Sequence, residues 1–398
     1  MSAHVVMSAT SAHKEASIRG PGADNRHQVM PGLDGVRGLA ILMVMAVHFV
    51  GDVVPQDKIE RFAARIANYG VGGVDLFFVL SGFLITGILF DSAASRHYYR
   101  NFYARRTLRI FPLYYGVLFV LFVAAPHFPG YPSSLAESAK HQTWLWTYGT
   151  NFYLAFKGSW SALPYVSHFW SLAIEEHFYL VWPLAIRSLS RDNAMRLCVL
   201  AVFVSLGLRL VSLAFGMGPF VRYLLTPCRL DCLCAGGFLA LAVRSESGRR
   251  RVMRMARSPW VWFAGALTFL PATWIMRPPV LQMFLEVRST ITALFFGVVV
   301  VLAAIGSKDA LTGRFFRGKV LTSLGKYSYG LYVYHGIIAY WLLEHGFVER
   351  LAATCRGHHT LAIVGYATFG AGVSLSVAMV SYHAFEKPFL RLKSFFEG

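Results

Sequence analysis

The chain has 398 residues, of which 56% are hydrophobic and only 15% charged, and its mean hydropathy is +0.49. That composition excludes an ordinary water-soluble domain. The net charge of +18 raises nucleic acid as a partner, but the basic residues fall between apolar runs, where anionic lipid headgroups account for them.

The first 30 residues are polar and rich in Ser, Ala and His. With no apolar segment to act as a signal, residues 1–30 read as a disordered, uncleaved cytoplasmic tail. Apolar runs then recur near 33–50, 71–90, 108–125, 168–189, 196–215, 226–243, 259–276, 289–306, 326–344 and 361–383. A helix needs about 20 apolar residues to cross a bilayer, and continuous apolar runs favour helices over a closed barrel. The predicted fold is all-α: a polytopic integral membrane protein of about ten transmembrane helices. The membrane domain covers 31–390 and a cytoplasmic tail covers 391–398. With both termini cytoplasmic, 25 of the 38 Lys and Arg lie inside, 10 lie outside, and Arg37, Arg209 and Arg229 fall within spans. That alternating excess is what the positive-inside rule expects.

The first span carries Arg37 and His48, eleven residues apart. Eleven helical steps return to nearly the same azimuth after about 16 Å of rise. An arginine near one membrane surface and a histidine about half a bilayer deep therefore share a face. Ionisable groups at that depth face a protein interior or a wet cavity. The second span opens Gly72-Gly73-Val74-Asp75 and continues to Ser81-Gly82-Phe83. Here Asp75 can orient a neighbouring His or Arg, and Ser81 and Gly82 suit a close helix interface. Arg106 and Arg109, three apart before Pro112, share a helix face and present paired guanidiniums suited to phosphate oxygens. Alone, they would read as topogenic charge.

The segment 126–167 is the longest loop and is rich in aromatics, Trp144, Trp146, Tyr148, Phe152, Tyr153 and Trp160 among them. It reads as interfacial or re-entrant structure at an acceptor groove. The run His168-Phe169-Trp170-Ser171-Leu172-Ala173-Ile174-Glu175-Glu176 then places His168, Glu175 and Tyr179 on one side of a helix. Two adjacent carboxylates at the start of an apolar span must be paired or wet, and one of them can hold an imidazole in its basic tautomer. Arg229 and Asp231 lie in a later span, with Arg209 in the span before it; a buried Arg–Asp pair there reads as structural before catalytic. Cys228, Cys232 and Cys234 read as small packing residues, and no metal site is expected. The stretch Tyr327 to His335 and a closing Glu386-Lys387-Pro388 complete the polar inventory.

Together these blocks resemble the integral-membrane acyltransferases called acyltransferase family 3. The likeness rests on the opening Leu33-Asp34-Gly35-Val36-Arg37-Gly38 with His48 at the family's distance, and on five further blocks in order. These are Gly-x-Asp-x-Phe-Phe-x-x-Ser-Gly-Phe, Arg-x-x-Arg-Ile-x-Pro, His-x-Trp-Ser-Leu-x-x-Glu-Glu, Ser-Tyr-x-x-Tyr-x-x-His and Glu-x-Pro. His177 stands where glutamine is usual, and Gly330 and Tyr334 also depart from the common pattern.

The resemblance implies transfer of an acyl group, usually acetyl, from acyl-coenzyme A to a hydroxyl. The acceptor would be a glycan, a lipid-linked sugar or a secondary metabolite, and the enzyme would sit in a bacterial inner membrane. Acyl-CoA is then a co-substrate, with no permanently bound cofactor and no nucleic-acid partner. Arg37, Arg106 and Arg109 are expected to hold the donor's phosphates, and Arg37 has an alternative role at the thioester. His48 is expected as general base or as transient acyl carrier, with Glu175 or Asp75 orienting it. His168, Ser81, Arg229, Asp231 and His335 are expected as substrate-binding or structural polar groups. The alternative of another class is a carrier or flippase that moves a polar substrate past the same buried charges.

Overall fold

The computed structural model of the protein describes residues 31–269 and 280–396. The tail 1–30 and the end of the expected 259–276 span lie outside the described residues. All regular structure among the described residues is helical. In chain order the helices are α1 (Pro31–Ala46), α2 (Lys58–Asn68), α3 (Gly72–Asp91), α4 (Tyr98–Phe119), α5 (Ser133–Ala139), α6 (Thr143–Trp146) and α7 (Thr150–Lys157). They continue with α8 (Trp170–Ser188), α9 (Arg191–Ala214), α10 (Pro219–Leu224), α11 (Leu230–Ala242), α12 (Glu246–Ala256) and α13 (Pro259–Leu267). The last six are α14 (Val280–Ile305), α15 (Leu311–Phe316), α16 (Lys319–Glu344), α17 (Phe347–Thr354), α18 (His359–Ser381) and α19 (Lys387–Arg391).

Six helical stretches among the described residues are long and apolar enough to cross a membrane: Pro31–Gly51, Lys58–Asp91, Tyr98–His127, Arg191–Ala214, Val280–Ile305 and His359–Phe396. The chain is thus a helical, multi-pass membrane protein. The other four expected spans fall short on physical grounds. α8 carries Glu175 and Glu176, and α16 is long but interrupted by tyrosines, Lys326 and His335. α11 has 13 residues, about 20 Å of helix, and α13 has nine before the described residues end.

Small residues set the packing. On α1, a Cβ at Gly35 would strike the Phe316 carbonyl and one at Gly38 the Leu321 carbonyl, while Gly325 lies against the Asp34 carbonyl. The glycines of the opening motif are therefore contact points for α15 and α16, and they hold Arg37 at that seam. Gly82 and Gly236 likewise bring α3 and α11 into backbone contact, through Leu233 and Val79, as small residues do between membrane helices. α3, α9, α11 and α14 pack as one group, and α16 and α18 as another.

The segment 126–167 is not an open loop. It folds into α5, α6, α7 and single 3-10 turns, with Tyr148 stacked on Tyr114 at 4.4 Å and Trp146 on Tyr115 at 5.7 Å. Its aromatics bind it to α4 as a cap. The tail after Pro388 is also folded: α19 and a 3-10 turn, Leu392–Phe396, pack along α4.

Candidate active site

A cleft of about 820 Å³, its open mouth included, lies between α1, α3, α4, α8 and α16. Arg37, Arg106 and Arg109 line it together with Ser81, Glu175, Glu176 and Tyr179, and Ser171 and Tyr332 also form part of its wall. Its α3 wall runs from Val74 to Ile85, eleven residues or about 16 Å of rise. The cleft is therefore about half a bilayer deep. Its cations enter from α1 and α4, while apolar side chains and hydroxyls form the rest.

Within the cleft, Arg37 is ion-paired with Asp34 one turn earlier on α1. Arg106 lies over the Tyr179 ring at 5.6 Å and faces Glu175 and Glu176. Ser81 and Tyr179 share a hydrogen bond of 2.5 Å between their hydroxyls, and both stand beside the Glu175 carboxylate. Five of the residues marked in the sequence (Arg37, Ser81, Arg106, Arg109 and Glu175) thus meet in one cavity.

His48 is not among them. α1 ends at Ala46, and His48 sits in a π-helical turn, Val47–Gly51, packed against α16 and α18. The wider turn alters the azimuth that an unbroken α-helix would give, a feature found often at functional positions. The His48 Nδ1–H donates to Asp52 Oδ2 at 2.8 Å, and the two side chains are 30% and 47% exposed. Asp52 therefore holds the imidazole, in place of the expected Glu175 or Asp75. Glu175 faces the cleft, and Asp75 is ion-paired with Arg229. With Nδ1 occupied, the Nε2 lone pair of His48 is the basic position.

Two buried histidines and a tyrosine join the exposed dyad to the cleft. The His335 ring lies 5.1 Å from that of His48 and 5.2 Å from that of His168. The His335 Nδ1–H donates to the Leu331 carbonyl at 2.9 Å, and its Nε2 is buried without a hydrogen-bond partner among the described residues. His168 occupies a 3-10 turn before α8, so it does not share the Glu175 face; its Nε2–H donates to the Val333 carbonyl at 3.2 Å. Gly336 makes room for the His168 ring, which lies where a Cβ would otherwise stand. Tyr332 donates to the His168 carbonyl at 3.0 Å and shares a hydrogen bond with Ser171. From Asp52 inward, polar groups therefore succeed one another to the cleft wall.

The buried Arg–Asp pairing expected from the sequence is present, but Arg229 and Asp231 do not pair with each other. Residues two apart on a helix point apart, and each finds another partner. Arg229 pairs with Asp75 and lies over Tyr223 at 5.0 Å, while Arg209 pairs with Asp231 at 2.9 Å. Thr290 also donates to Asp231 at 2.9 Å, and Glu286 binds Arg222 at 2.8 Å. One residue escaped the sequence reading: Asp52 follows His48 by one helical turn and is legible as an i,i+4 pair.

The fold and the cleft define a helical membrane protein with an arginine-lined cavity and, outside its lining, a histidine–carboxylate pair. The family model described as an acyltransferase domain matches residues 30–383, nearly the whole chain. The chain belongs to that family. It is 26% identical over 377 residues to YrhL of Bacillus subtilis, covering 91% of this chain and 55% of that protein. It is 27% identical over 338 residues to the O-acetyltransferase OatA of Staphylococcus aureus, covering 77% and 50%. The peptidoglycan O-acetyltransferase OatA of Listeria monocytogenes is 27% identical over 321 residues, covering 77% and 49%. The chain spans about half the length of these curated relatives. No solved structure matches it.

Proposed function

We propose that the protein takes an acyl group, acetyl first, from acyl-coenzyme A at the cytoplasmic face of a bacterial inner membrane. It delivers the group to a hydroxyl presented at the opposite face. The carrying observation is the polarity of the site: Arg37, Arg106 and Arg109 line one cavity, and the His48–Asp52 dyad opens elsewhere on the same helical unit. The orientation used has both termini inside, which puts α4's arginines at the cytoplasmic surface.

In this reading the guanidiniums bind the donor's phosphates through charge-assisted hydrogen bonds, and the pantetheine arm runs inward to the level of Tyr332 and Ser171. His48 Nε2 takes the proton of the acceptor hydroxyl. The oxygen attacks the thioester carbonyl, the C–S bond breaks, and the thiolate leaves with the proton passed on from His48. Asp52 keeps Nδ1 protonated and stabilises the imidazolium, as an orienting carboxylate does in hydrolytic triads. The names of the two OatA relatives support O-acetylation, and the Listeria protein's name supports a glycan acceptor. A lipid-linked sugar or a secondary metabolite offers the same hydroxyl.

The test is consumption of acetyl-CoA by the purified, full chain in nanodiscs, with thiol release followed in the presence of glycan fragments. Acceptor-dependent release supports the reading. Binding of a polar substrate with no thiol release from any acyl-CoA would reject transfer in favour of a carrier.

A further inference from the structure

Residues 52–71 join the end of the first span to the start of the second, and α2 occupies most of that link. α3 alone has 20 residues, about 30 Å of helix, which covers the hydrocarbon core. α2 therefore lies at the membrane surface, on the side where α1 ends. The link is fastened there: a Cβ at Gly70 would strike the Met43 carbonyl, and one at Gly73 would meet the Ala40 carbonyl.

Three sets of residues, each spaced three and four apart, divide the circumference of α2. Glu60, Ala64 and Ala67 are buried. Ile59, Phe62 and Ile66 are 71%, 67% and 56% exposed. Lys58, Arg61 and Arg65, also exposed, form a basic strip beside them. A helix with one face on protein, one bare apolar face and one cationic strip suits a bilayer interface, where the apolar side chains enter the acyl boundary and the cations meet headgroups.

The buried face ties α2 to the histidine–carboxylate dyad. The Glu60 carboxylate accepts from the Gln56 N–H at 2.7 Å, and from the His359 Nδ1–H and the Thr360 hydroxyl of α18 at 2.9 Å each. Asp57 caps the helix by accepting from the Glu60 N–H at 2.8 Å. At the other end, the Asn68 side-chain oxygen lies 2.6 Å from where a Cβ on Gly51 would stand. Gly51 closes the π-helical turn that carries His48, and Asp52 follows it. α2 is thus a splint between the bilayer surface and the dyad.

We propose that α2 is an interfacial anchor that binds anionic phospholipid headgroups through Lys58, Arg61 and Arg65. Through Asn68 and the Glu60 clasp, the bound lipid steadies the turn that carries His48 and Asp52. The charge of the strip selects anionic over zwitterionic lipid, because each basic residue near an anionic surface gains about five-fold in binding.

The experiment is hydrogen–deuterium exchange, read by mass spectrometry, on the full chain in nanodiscs of phosphatidylcholine alone or with phosphatidylglycerol added. In wild type, peptides covering 58–68 should exchange at least about five-fold more slowly with phosphatidylglycerol, the effect of one cation, and those covering 47–52 should follow. Lys58→Gln, Arg61→Gln and Arg65→Gln together should remove the lipid dependence, whereas Arg61→Lys with Arg65→Lys should keep it. Phe62→Ser with Ile66→Ser should exchange faster in both bilayers. Equal wild-type exchange in the two bilayers, a dependence that survives the three glutamines, or unchanged exchange in the serine variant would overturn the anchor. A response in 58–68 that 47–52 does not share would overturn the link to the dyad. Protection seen only in discs holding two copies, or only on adding glycan fragments, would give the face to a second copy or to the acceptor and overturn the lipid assignment. Unchanged exchange in α16 shows that each variant is folded, and no outcome depends on turnover.

Discussion

Two groups of arginines lie within the bundle, and they differ in how their charge is met. The first is Arg209, Arg222 and Arg229, set among Asp75, Asp231 and Glu286. Every guanidinium has a carboxylate, and Arg209 and Arg229 are each 1% exposed. The second is Arg37, Arg106 and Arg109. Among the described residues it forms one ion pair, Arg37 with Asp34, and its remaining cations line the cleft beside Glu175 and Glu176. A closed, charge-matched network in a low-dielectric interior holds helices α3, α9, α11 and α14 in register. An open set of cations holds nothing unless a ligand arrives. Arginine in a membrane span is thus not one signal but two, and direct ion pairing tells them apart: Arg209, Arg222 and Arg229 are each in a salt bridge, whereas Arg106 faces Glu175 and Glu176 across the cleft without one among the described residues.

The sharpest way to test that division is to separate loss of turnover from loss of fold. Under the proposed mechanism, His48→Ala should lower turnover by about 10²–10⁴, the span of general-base contributions. The variant should still bind acetyl-CoA, measured by calorimetry, because no donor-binding arginine is touched. Transfer within a few-fold of wild type would sink the assignment and leave His335, with its unpartnered Nε2, as the next base. Arg209→Met, by contrast, should lower stability by about 3–5 kcal/mol, since it strands Asp231 in the interior. Thermal unfolding in detergent measures this. Arg209→Met combined with Asp231→Leu should recover much of the loss; if it does not, the network is doing more than neutralising itself.

The cleft arginines should behave in the opposite way. Arg106→Ala and Arg109→Ala should each weaken donor binding by about 1.5–3 kcal/mol, with unfolding midpoints at or above wild type. Arg106→Lys should recover only part of the affinity, because a point charge lacks the bidentate fork. A large stability loss in both alanine variants would erase the contrast with the buried network.

Much of this was legible in the sequence because lipid leaves few choices. Each span must be apolar, so an Arg, Glu or Ser inside one stands out, and Arg106, Arg109, Ser81 and Glu175 do meet in one cavity. What the sequence misplaced depended on helix geometry. An ideal α-helix from Leu33 to Val50 carries no π turn, so the facing of His48 was misjudged and Asp52 was left in a loop. A buried Arg–Asp pair was legible near Arg229 and Asp231, but which partners form it was not: Asp75 of α3 meets Arg229, and Arg209 of α9 meets Asp231. The aromatics of 126–167 did not reveal the three short helices stacked on α4.

The smallest effect should come from Tyr332→Phe, at the inner end of the polar path from His48. The ring packs against Phe77 at 6.0 Å and lies 5.5 Å from that of His335, and both contacts survive removal of the hydroxyl. What is lost is the bond to the His168 carbonyl and the one shared with Ser171. Each neutral hydrogen bond contributes about 0.5–1.5 kcal/mol, so the unfolding midpoint should fall slightly. Donor affinity should hold, because the arginines proposed to bind the donor's phosphates are untouched. If the hydroxyl only steadies His168, turnover should drop by less than about ten-fold, the equivalent of roughly 1.4 kcal/mol. A fall as deep as that of His48→Ala would instead put the Tyr332 oxygen on the reacting atoms. The division between a cation-lined donor cleft and a histidine-bearing acceptor side would then have to be redrawn with Tyr332 as part of the chemistry.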